Sequence, residues 1–316
     1  MAQILGLHHV TAVAGDPQRN LDFFSGVLGM RLVKLTVAFD HPSNYHLYYG
    51  DGKGTPGSIL TFFPWPSVMK GRHGNGQTAA ISFALPLDAL VYWTDRLKEH
   101  SIRITLTEER FGESVIEFFD PDGLRIELVA TKNVDEDRIW ELGPVPAEYA
   151  IRGFHSVTLA VEGYDPTSTL LTDHLGFAKV GREGDRFRFS IGDGRSRVVT
   201  DIVCAPHLPR GRAGIGCVHH VAWRTPNDTQ QKEWLDKIRK LHYDVSPVRD
   251  RKYFHSIYFR EPGGVLFEIA TDQPGFGVDE PEEALGTHLV LPPWLESQRA
   301  QLENALPSLK LPQVKW

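Results

Sequence analysis

Glu268 is the residue of this chain whose position most demands a chemical explanation. It lies in an apolar run, Val265–Ala270, that follows the glycine pair Gly263–Gly264. Alternate residues of a β-strand share a face, and both faces of this run are apolar, so the strand is predicted to be buried. A buried carboxylate is costly unless it is paired, hydrogen-bonded or bound to a metal. Glu268 therefore needs a partner elsewhere in the chain.

Histidines that open strand-like runs are the natural partners. The 14 histidines are a mild excess that invites a search for metal ligands, and they include the pairs His8–His9 and His219–His220 and the single His155. Two neutral imidazoles and one carboxylate give iron(II) three protein ligands and leave open positions for a substrate and O2. This donor set indicates a site for a divalent metal ion.

The identity of the third ligand is open between two histidines. His220 precedes Glu268 in the same stretch of chain and is a ligand in either arrangement. If the two halves of the chain fold separately, His155 completes the triad. If the first strand packs against the last part of the chain, His9 completes it. The doubled histidines, His8–His9 in the first strand and His219–His220 in the last part of the chain that carries Glu268, favour His9.

The strands that position these residues belong to a unit that recurs four times. Each unit reads as β-α-β-β-β: a short buried strand, an amphipathic helix, and strand-like runs broken by Gly, Pro or Asp. The opening strands are predicted at 7–13, 79–83, 153–159 and 218–223, and the helices at 20–28, 87–100, up to about 177, and 230–241. The sequence therefore predicts an α+β protein of four βαβββ modules.

The modules group into two halves with a tail. Residues 1–132 hold the first pair, 133–150 are predicted to be a linker because they are charged and then punctuated by Pro and Gly, and 151–272 hold the second pair. Residues 273–316 are rich in proline and show no repeat. We expect them to form an extended C-terminal arm with one short helix, Glu296–Ala305, packed over a core or a neighbouring subunit.

The order of short motifs along the chain resembles the vicinal oxygen chelate superfamily, and within it the hydroquinone-cleaving dioxygenases. The motifs are Leu7–Thr11 (LHHVT), Tyr45–Tyr48 (YHLY), Gly54–Gly57 (GTPG), Arg152–Ser156 (RGFHS), His219–His220, Asp250–Phe254 (DRKYF) and Pro262–Glu268 (PGGVLFE). The resemblance implies that paired modules form two curved mixed sheets around cavities. It also implies that modules one and four pair around the metal, with His9, His220 and Glu268 as ligands of iron(II) or manganese(II).

The implied function is that of an iron(II)-dependent ring-cleaving dioxygenase. Its partners would be O2 and a hydroquinone or catechol-like diol, cleaved next to the iron-bound hydroxyl. Two alternatives share the fold: a glyoxalase-type isomerase or lyase, and a binding protein for aromatic toxins. Those isomerases usually need a second carboxylate, and Thr61 stands at the equivalent position of the first module. This difference favours the dioxygenase.

Five further residues are candidate catalytic groups around the metal: Thr11, His8, His219, Tyr258 and Arg251. The threonine shares a strand face with the ligand two residues before it. The two histidines are one residue out of phase with the ligands, so they need a β-bulge or a place at the cavity rim. The tyrosine lies on the strand before the glutamate, and the arginine begins the loop into that strand, where its charge could compensate a phenolate.

The remaining features suggest ordinary structural roles and a soluble protein. Glu127 is expected to pair with Arg125 or another basic group, and His46 to be a surface or packing residue. The net charge of −6 gives no electrostatic basis for binding nucleic acid or an anionic membrane. No apolar run reaches the ~18 residues of a membrane-spanning helix, and the start lacks a signal-peptide pattern. We expect a cytoplasmic protein with two reduced cysteines, assembled as a homo-oligomer through its arm.

Overall fold

Two curved, mixed, eight-stranded sheets with few helices make up the protein. The computed structural model describes residues 2–192 and 198–312. Its two sheets confirm the predicted α+β fold class. Residues 313–316 of the expected arm lie outside the described residues.

The strands follow the four modules along the chain. Module one contributes β1 (Leu7–Ala14), β2 (Arg31–Ala38), β3 (His41–Gly50) and β4 (Ile59–Pro64), and module two contributes β5 (Gln77–Leu85), β6 (Leu106–Arg110), β7 (Glu113–Phe119) and β8 (Arg125–Ala130). Module three contributes β9 (Phe154–Val161), β10 (Ala178–Glu183), β11 (Arg186–Ile191) and β12 (Val198–Cys204), and module four contributes β13 (Val218–Thr225), β14 (Arg249–Asp250), β15 (Phe254–Arg260) and β16 (Leu266–Pro274).

Each sheet takes one module from each half of the chain. The first sheet has the order β14-β15-β16-β13-β1-β4-β3-β2 and joins modules four and one. The second has the order β10-β11-β12-β9-β5-β8-β7-β6 and joins modules three and two. At the centre of each sheet two opening strands run antiparallel, β1 beside β13 and β5 beside β9. The N-terminal strand therefore lies against the last module.

The helices connect the first and second strands of each module. They are α1 (Pro17–Leu21, continued as a π-helix over Asp22–Val27), α2 (Ala89–Glu99), α3 (Asp165–Thr169, continued as a π-helix over Leu170–His174) and α4 (Asp228–Lys240). The first helix begins before the predicted residue 20 because Asp16 accepts a hydrogen bond from the Arg19 backbone N–H at 2.7 Å and Pro17 occupies the first turn. No helix among the described residues is long and apolar enough to span a membrane.

The C-terminal arm packs against module one. It contains a 3₁₀-helix (Pro293–Gln298) and α5 (Arg299–Ala305), which together cover the predicted helix. The Val290 backbone N–H donates to the Leu35 carbonyl at 2.9 Å, and the Tyr45 hydroxyl donates to the Pro307 carbonyl at 2.9 Å. The fully buried Lys34 ammonium pairs with Asp279 and Glu280 of the arm. These contacts fix the arm beside the hairpin of β2 and β3.

Candidate metal centre and active site

Three side chains converge at the centre of the first sheet, one from each of three adjacent strands. They are His9 on β1, His220 on β13 and Glu268 on β16, and their exposed fractions are 2%, 5% and 0%. The Nε2 atoms of His9 and His220 are 3.2 Å apart. Glu268 Oε2 lies 3.4 Å from His9 Nε2 and 2.9 Å from His220 Nε2. The position of the first strand beside the last module is what brings His9 to the glutamate.

The triangle of donor atoms fits a divalent metal ion. Adjacent ligands of an octahedral ion with bonds of about 2.1 Å are roughly 3 Å apart, close to the 2.9–3.4 Å measured here. Glu268 Oε2 is buried without a well-formed hydrogen bond, whereas Oε1 accepts one from the Ser256 hydroxyl. Burial alone would raise the pKa of Glu268, but His9 and His220 hold it well below its usual range. Among the described residues, these three form the one group of this kind placed to hold a metal.

β-Bulges bring His8 and His219 to the same centre. In the pairing of β1 with β13 the register shifts at His8 and again at His219, so that each strand carries one extra residue. His8 Nδ1 lies 2.9 Å from His9 Nδ1, and His219 Nδ1 lies 2.8 Å from His220 Nδ1. On regular strands both side chains would face away from the three donors. The bulges make each of them the neighbour of a candidate ligand.

These neighbouring histidines can orient the candidate ligands. When each accepts the Nδ1–H of the adjacent His9 or His220, the Nε2 lone pair of that residue is left for a cation. His8 is 2% exposed, and burial lowers its pKa well below its usual range. The exposed side chain of His219 borders the adjacent cavity, and partial loss of hydration together with the neighbouring His220 lowers its pKa. Both are therefore neutral acceptors, one in a dry position and one within reach of solvent.

A cavity of about 240 Å³ opens on His9 and His220. One wall is aromatic and includes Phe39 and the stacked pair Phe63 and Trp65, whose ring centroids are 5.0 Å apart. Pockets for drug-sized ligands usually measure about 300–1,000 Å³. This smaller, ring-lined space suits a single aromatic ring.

Tyr258 and Arg251 form the polar wall on the side of module four. Tyr258 lies opposite Glu268 in the pairing of β15 with β16, and its ring centroid is 5.6 Å from that of His220. Arg251 donates from Nε to the Tyr258 hydroxyl at 3.2 Å and from Nη1 to Asp40 at 3.0 Å. Burial and the charge of Glu268 raise the pKa of Tyr258, so its phenol is protonated and available to donate. Asp40 belongs to module one, so this chain of contacts crosses the cavity mouth.

A second polar chain lines the side of module one, and it includes a residue that the sequence reasoning missed. Thr11 Oγ1 lies 2.8 Å from Thr61 Oγ1, which lies 2.9 Å from His46 Nε2, and His46 Nδ1 lies 2.9 Å from the Tyr48 hydroxyl. His46 packs against Tyr48 and Phe63, with ring centroids 4.0 and 4.3 Å apart, as its expected packing role requires, and its ring also lines the cavity. The alternation of His46 and Tyr48 on β3 was the available signal, because it places both on one strand face.

Thr61 takes in module one the place that Glu268 takes in module four. Ala222, two residues after His220, pairs with Glu268 on the adjacent parallel strand. Thr11, two residues after His9, pairs with Thr61 in the same way. The centre therefore has one carboxylate where the repeat offers positions for two.

The structure places His155 in the second sheet, away from the three donors. In the pairing of β9 with β5 the register shifts at His155, as it does at His8 in the pairing of β1 with β13. The residue after the shift is Ser156, which pairs with Ser82, and in the first sheet it is His9, which pairs with Ala222. His155 thus corresponds to His8, and Ser156 corresponds to His9. The His155 Nε2 atom lies 3.2 Å from the Glu113 carboxylate.

Glu127 corresponds to Glu268 in the second sheet and is held by a guanidinium group. Arg110 donates to its two carboxylate oxygens at 3.0 and 3.2 Å, and the Ser82 hydroxyl donates at 2.6 Å. The expected basic partner is therefore Arg110, while Arg125 lies 3.6 Å from Glu117. In this half of the molecule an arginine side chain therefore neutralises the buried carboxylate.

Comparisons with known proteins agree with this architecture. The model of the Glyoxalase/Bleomycin resistance protein/Dioxygenase superfamily matches residues 6–128 and 153–269. The chain is 46% identical to "Putative ring-cleaving dioxygenase MhqO" of Bacillus subtilis, over 96% of each chain. It is 34% identical to chlorohydroquinone/hydroquinone 1,2-dioxygenase of Sphingobium indicum, over 95% of each chain. A crystal structure titled "putative dioxygenase" from Bacillus subtilis superposes with a TM-score of 0.94 at 44% identity, covering 99% of this chain and 100% of the other.

Proposed function

The chain belongs to the Glyoxalase/Bleomycin resistance protein/Dioxygenase superfamily, and we propose that it is a ring-cleaving dioxygenase that acts on a hydroquinone or catechol-like diol. Relatives at 34–46% identity over the full chain are named ring-cleaving or hydroquinone dioxygenases. The single-ring volume and aromatic wall of the cavity support the same substrate class.

The donor set is the observation that carries the proposal. Two histidines and one carboxylate form a single face, and the position related by the repeat to Glu268 holds Thr61. Thr61 already engages Thr11 and His46. Three protein ligands leave the remaining positions of an octahedral ion for a diol and O2. A second carboxylate at Thr61 would occupy one of them.

We assign His9, His220 and Glu268 as metal ligands, with iron(II) as the metal and manganese(II) as a second candidate for the same donors. A divalent ion at this point would lower the pKa of a phenol that binds to it. The protein supplies one negative charge and two neutral imidazoles, so an ion with a charge of +2 would keep a net positive charge with which to attract a phenolate. His8 and His219 hold the two imidazoles in the required orientation.

The residues around the cavity bind and orient the diol. Arg251 carries a positive charge beside the Tyr258 hydroxyl and can offset negative charge on a substrate oxygen. Tyr258 is a protonated donor that can hold or deliver a proton at such an oxygen. Thr11 and His219 also line the cavity, where they can hydrogen-bond the substrate. The aromatic wall excludes water from the ring.

Two other functions of the same fold are tested by one experiment. Protein loaded with iron(II) under nitrogen is mixed with a panel of hydroquinones and catechols in an oxygen electrode, and in parallel with isomerase substrates. We expect O2 uptake in step with loss of the diol. Isomerase activity, or tight diol binding without O2 uptake, would establish one of the alternatives and refute the dioxygenase.

Matched variants link the activity to the assigned ligands. His9→Ala should lose both metal and O2 uptake, whereas His155→Ala should keep both. The opposite pattern would overturn the assignment. We also propose that the protein is cytoplasmic and forms a homo-oligomer, which cell fractionation and light scattering of the purified protein would test.

A further inference from the structure

The second sheet encloses a cavity of about 390 Å³ that the proposed reaction does not use. Its apolar wall includes Phe111, Phe154 and Val180. Its polar wall combines His155 and Glu113 with four cationic side chains, those of Lys132, Arg138, Arg152 and Arg188. Asp135 is the other carboxylate of the lining. Positive charge therefore exceeds negative charge around this space.

Two of the cations are already matched by carboxylates. Arg188 donates to Asp201 at 2.9 and 3.0 Å and to Glu113 at 2.8 Å. Arg138 lies 3.1 Å from Asp135. These pairs account for both carboxylates of the lining. The remaining cations of the lining are Arg152 and Lys132.

Arg152 is buried with donors left over. Its exposed fraction is 6%, and its Nη2 donates to the Ala147 carbonyl at 2.9 Å. Glu136, which is 57% exposed, lies 3.6 Å from the same nitrogen. Within the described chain, Nε and Nη1 of Arg152 are buried and have no hydrogen-bond partner. Leaving buried donors of a charged group unsatisfied is expensive, so this guanidinium group would gain from an additional acceptor.

The repeat explains why this cavity differs from the metal centre. Ser156 stands where the first sheet has His9, and Ala80 stands where it has His220. The two carboxylates on the related strands, Glu127 and Asp201, are held by arginines. The donors for a metal are therefore absent from these positions, while guanidinium groups have been added.

We propose that the second cavity is a binding site for a small organic anion, a carboxylate carried on a compact apolar body, with Arg152 as its anchor. The carboxylate would pair with the guanidinium group of Arg152, and the exposed Lys132 of the lining would add positive charge. Phe111, Phe154 and Val180 would enclose the apolar body. This function is separate from the diol chemistry of the first sheet and does not depend on it.

Calorimetric titration of the metal-loaded protein with benzoate tests the proposal, with benzamide as the neutral analogue and inorganic phosphate as an anion without an apolar body. We expect benzoate to bind with one site per chain. Benzamide and phosphate should bind at least about ten-fold more weakly, because benzamide lacks the negative charge and phosphate lacks the apolar body. Equal binding of all three probes, or no binding of benzoate, would overturn the proposal.

Variants locate the site. Arg152→Met should weaken benzoate binding about ten-fold or more. Val180→Trp, at a half-exposed position of the lining, should block the cavity without removing a buried charge and should leave O2 uptake unchanged. Glu268→Gln should keep benzoate binding. Benzoate binding that survives Val180→Trp but is lost in Glu268→Gln would place the anion at the metal centre and refute the second site.

Discussion

Replacing His8 by Phe should weaken metal binding although His8 is not an assigned ligand. The ring size is kept, but the acceptor 2.9 Å from His9 Nδ1 is lost. His8 and His9 are each 2% exposed, so water has little access to the orphaned N–H. An unsatisfied buried donor costs about 1–3 kcal/mol, which corresponds to roughly a 5- to 150-fold change in affinity. We expect a loss of about 10- to 100-fold, the usual effect of removing such a partner.

Replacing the histidines at two related positions should have smaller effects on metal affinity. His219 holds His220 in the same way at 2.8 Å, but it borders the cavity. Water can replace its ring in His219→Ala, so the loss of affinity should stay below about ten-fold. His155 is the counterpart of His8 in the second sheet, at the same bulge, and serves as the matched control. His155→Phe should leave metal affinity unchanged.

Anaerobic competition between each metal-free protein and a chromogenic chelator for iron(II) measures these affinities. Thermal unfolding of the metal-free proteins shows whether the fold survives each change. The reasoning is refuted if His8→Phe binds within two-fold of the wild type, or if His155→Phe weakens binding as much as His8→Phe does.

Three further outcomes follow from the structure. Thr61→Glu adds the second carboxylate, so divalent metal binding should tighten while O2 uptake falls at least about ten-fold, as chelator competition and an oxygen electrode would show. Asp40→Asn breaks a pair that is 74% exposed on the aspartate side, so KM for the diol should rise only a few-fold with kcat little changed in steady-state assays. Burial opposes the charge of Glu113, but His155 and Arg188 lower its pKa to about 2. The ionised Glu113 therefore stabilises the fold by up to about 3 kcal/mol above pH 4.5, and this contribution decreases as the pH falls towards 2. The Tm gap between wild type and Glu113→Gln should narrow correspondingly between pH 5 and pH 3.

Local patterns in the sequence were enough to predict the four β-α-β-β-β units, the glycine turn before Glu268 and the apolar strand that carries it. The arrangement of these units in two curved mixed sheets was implied by the resemblance to the superfamily. The helix starts were less exact. The first helix was predicted to begin at residue 20, whereas Asp16 caps it and Pro17 begins it.

Strand register was the part that the sequence could not supply. Regular alternation along a strand places His8 and His219 on the face opposite to His9 and His220. The β-bulges that change this orientation can be seen only in the pairing of β1 with β13. The same limit affected His155, which sequence spacing aligned with His9 and strand pairing aligns with His8. His46 was missed because a single polar residue on a strand does not reveal which side the neighbouring module covers. The placement of these histidines depends on how strands pair and pack, which the local sequence does not determine.

The neighbouring positions of β1 and β13 also set the order of events during synthesis. The three donor residues lie between positions 9 and 268, so the first is translated long before the last leaves the ribosome. A nascent chain that stops after the second module carries one of the three and cannot complete the centre. Long-range strand pairing of this kind is slow to form. If these three residues hold a metal ion as we propose, metal loading would mark a chain that extends at least to Glu268.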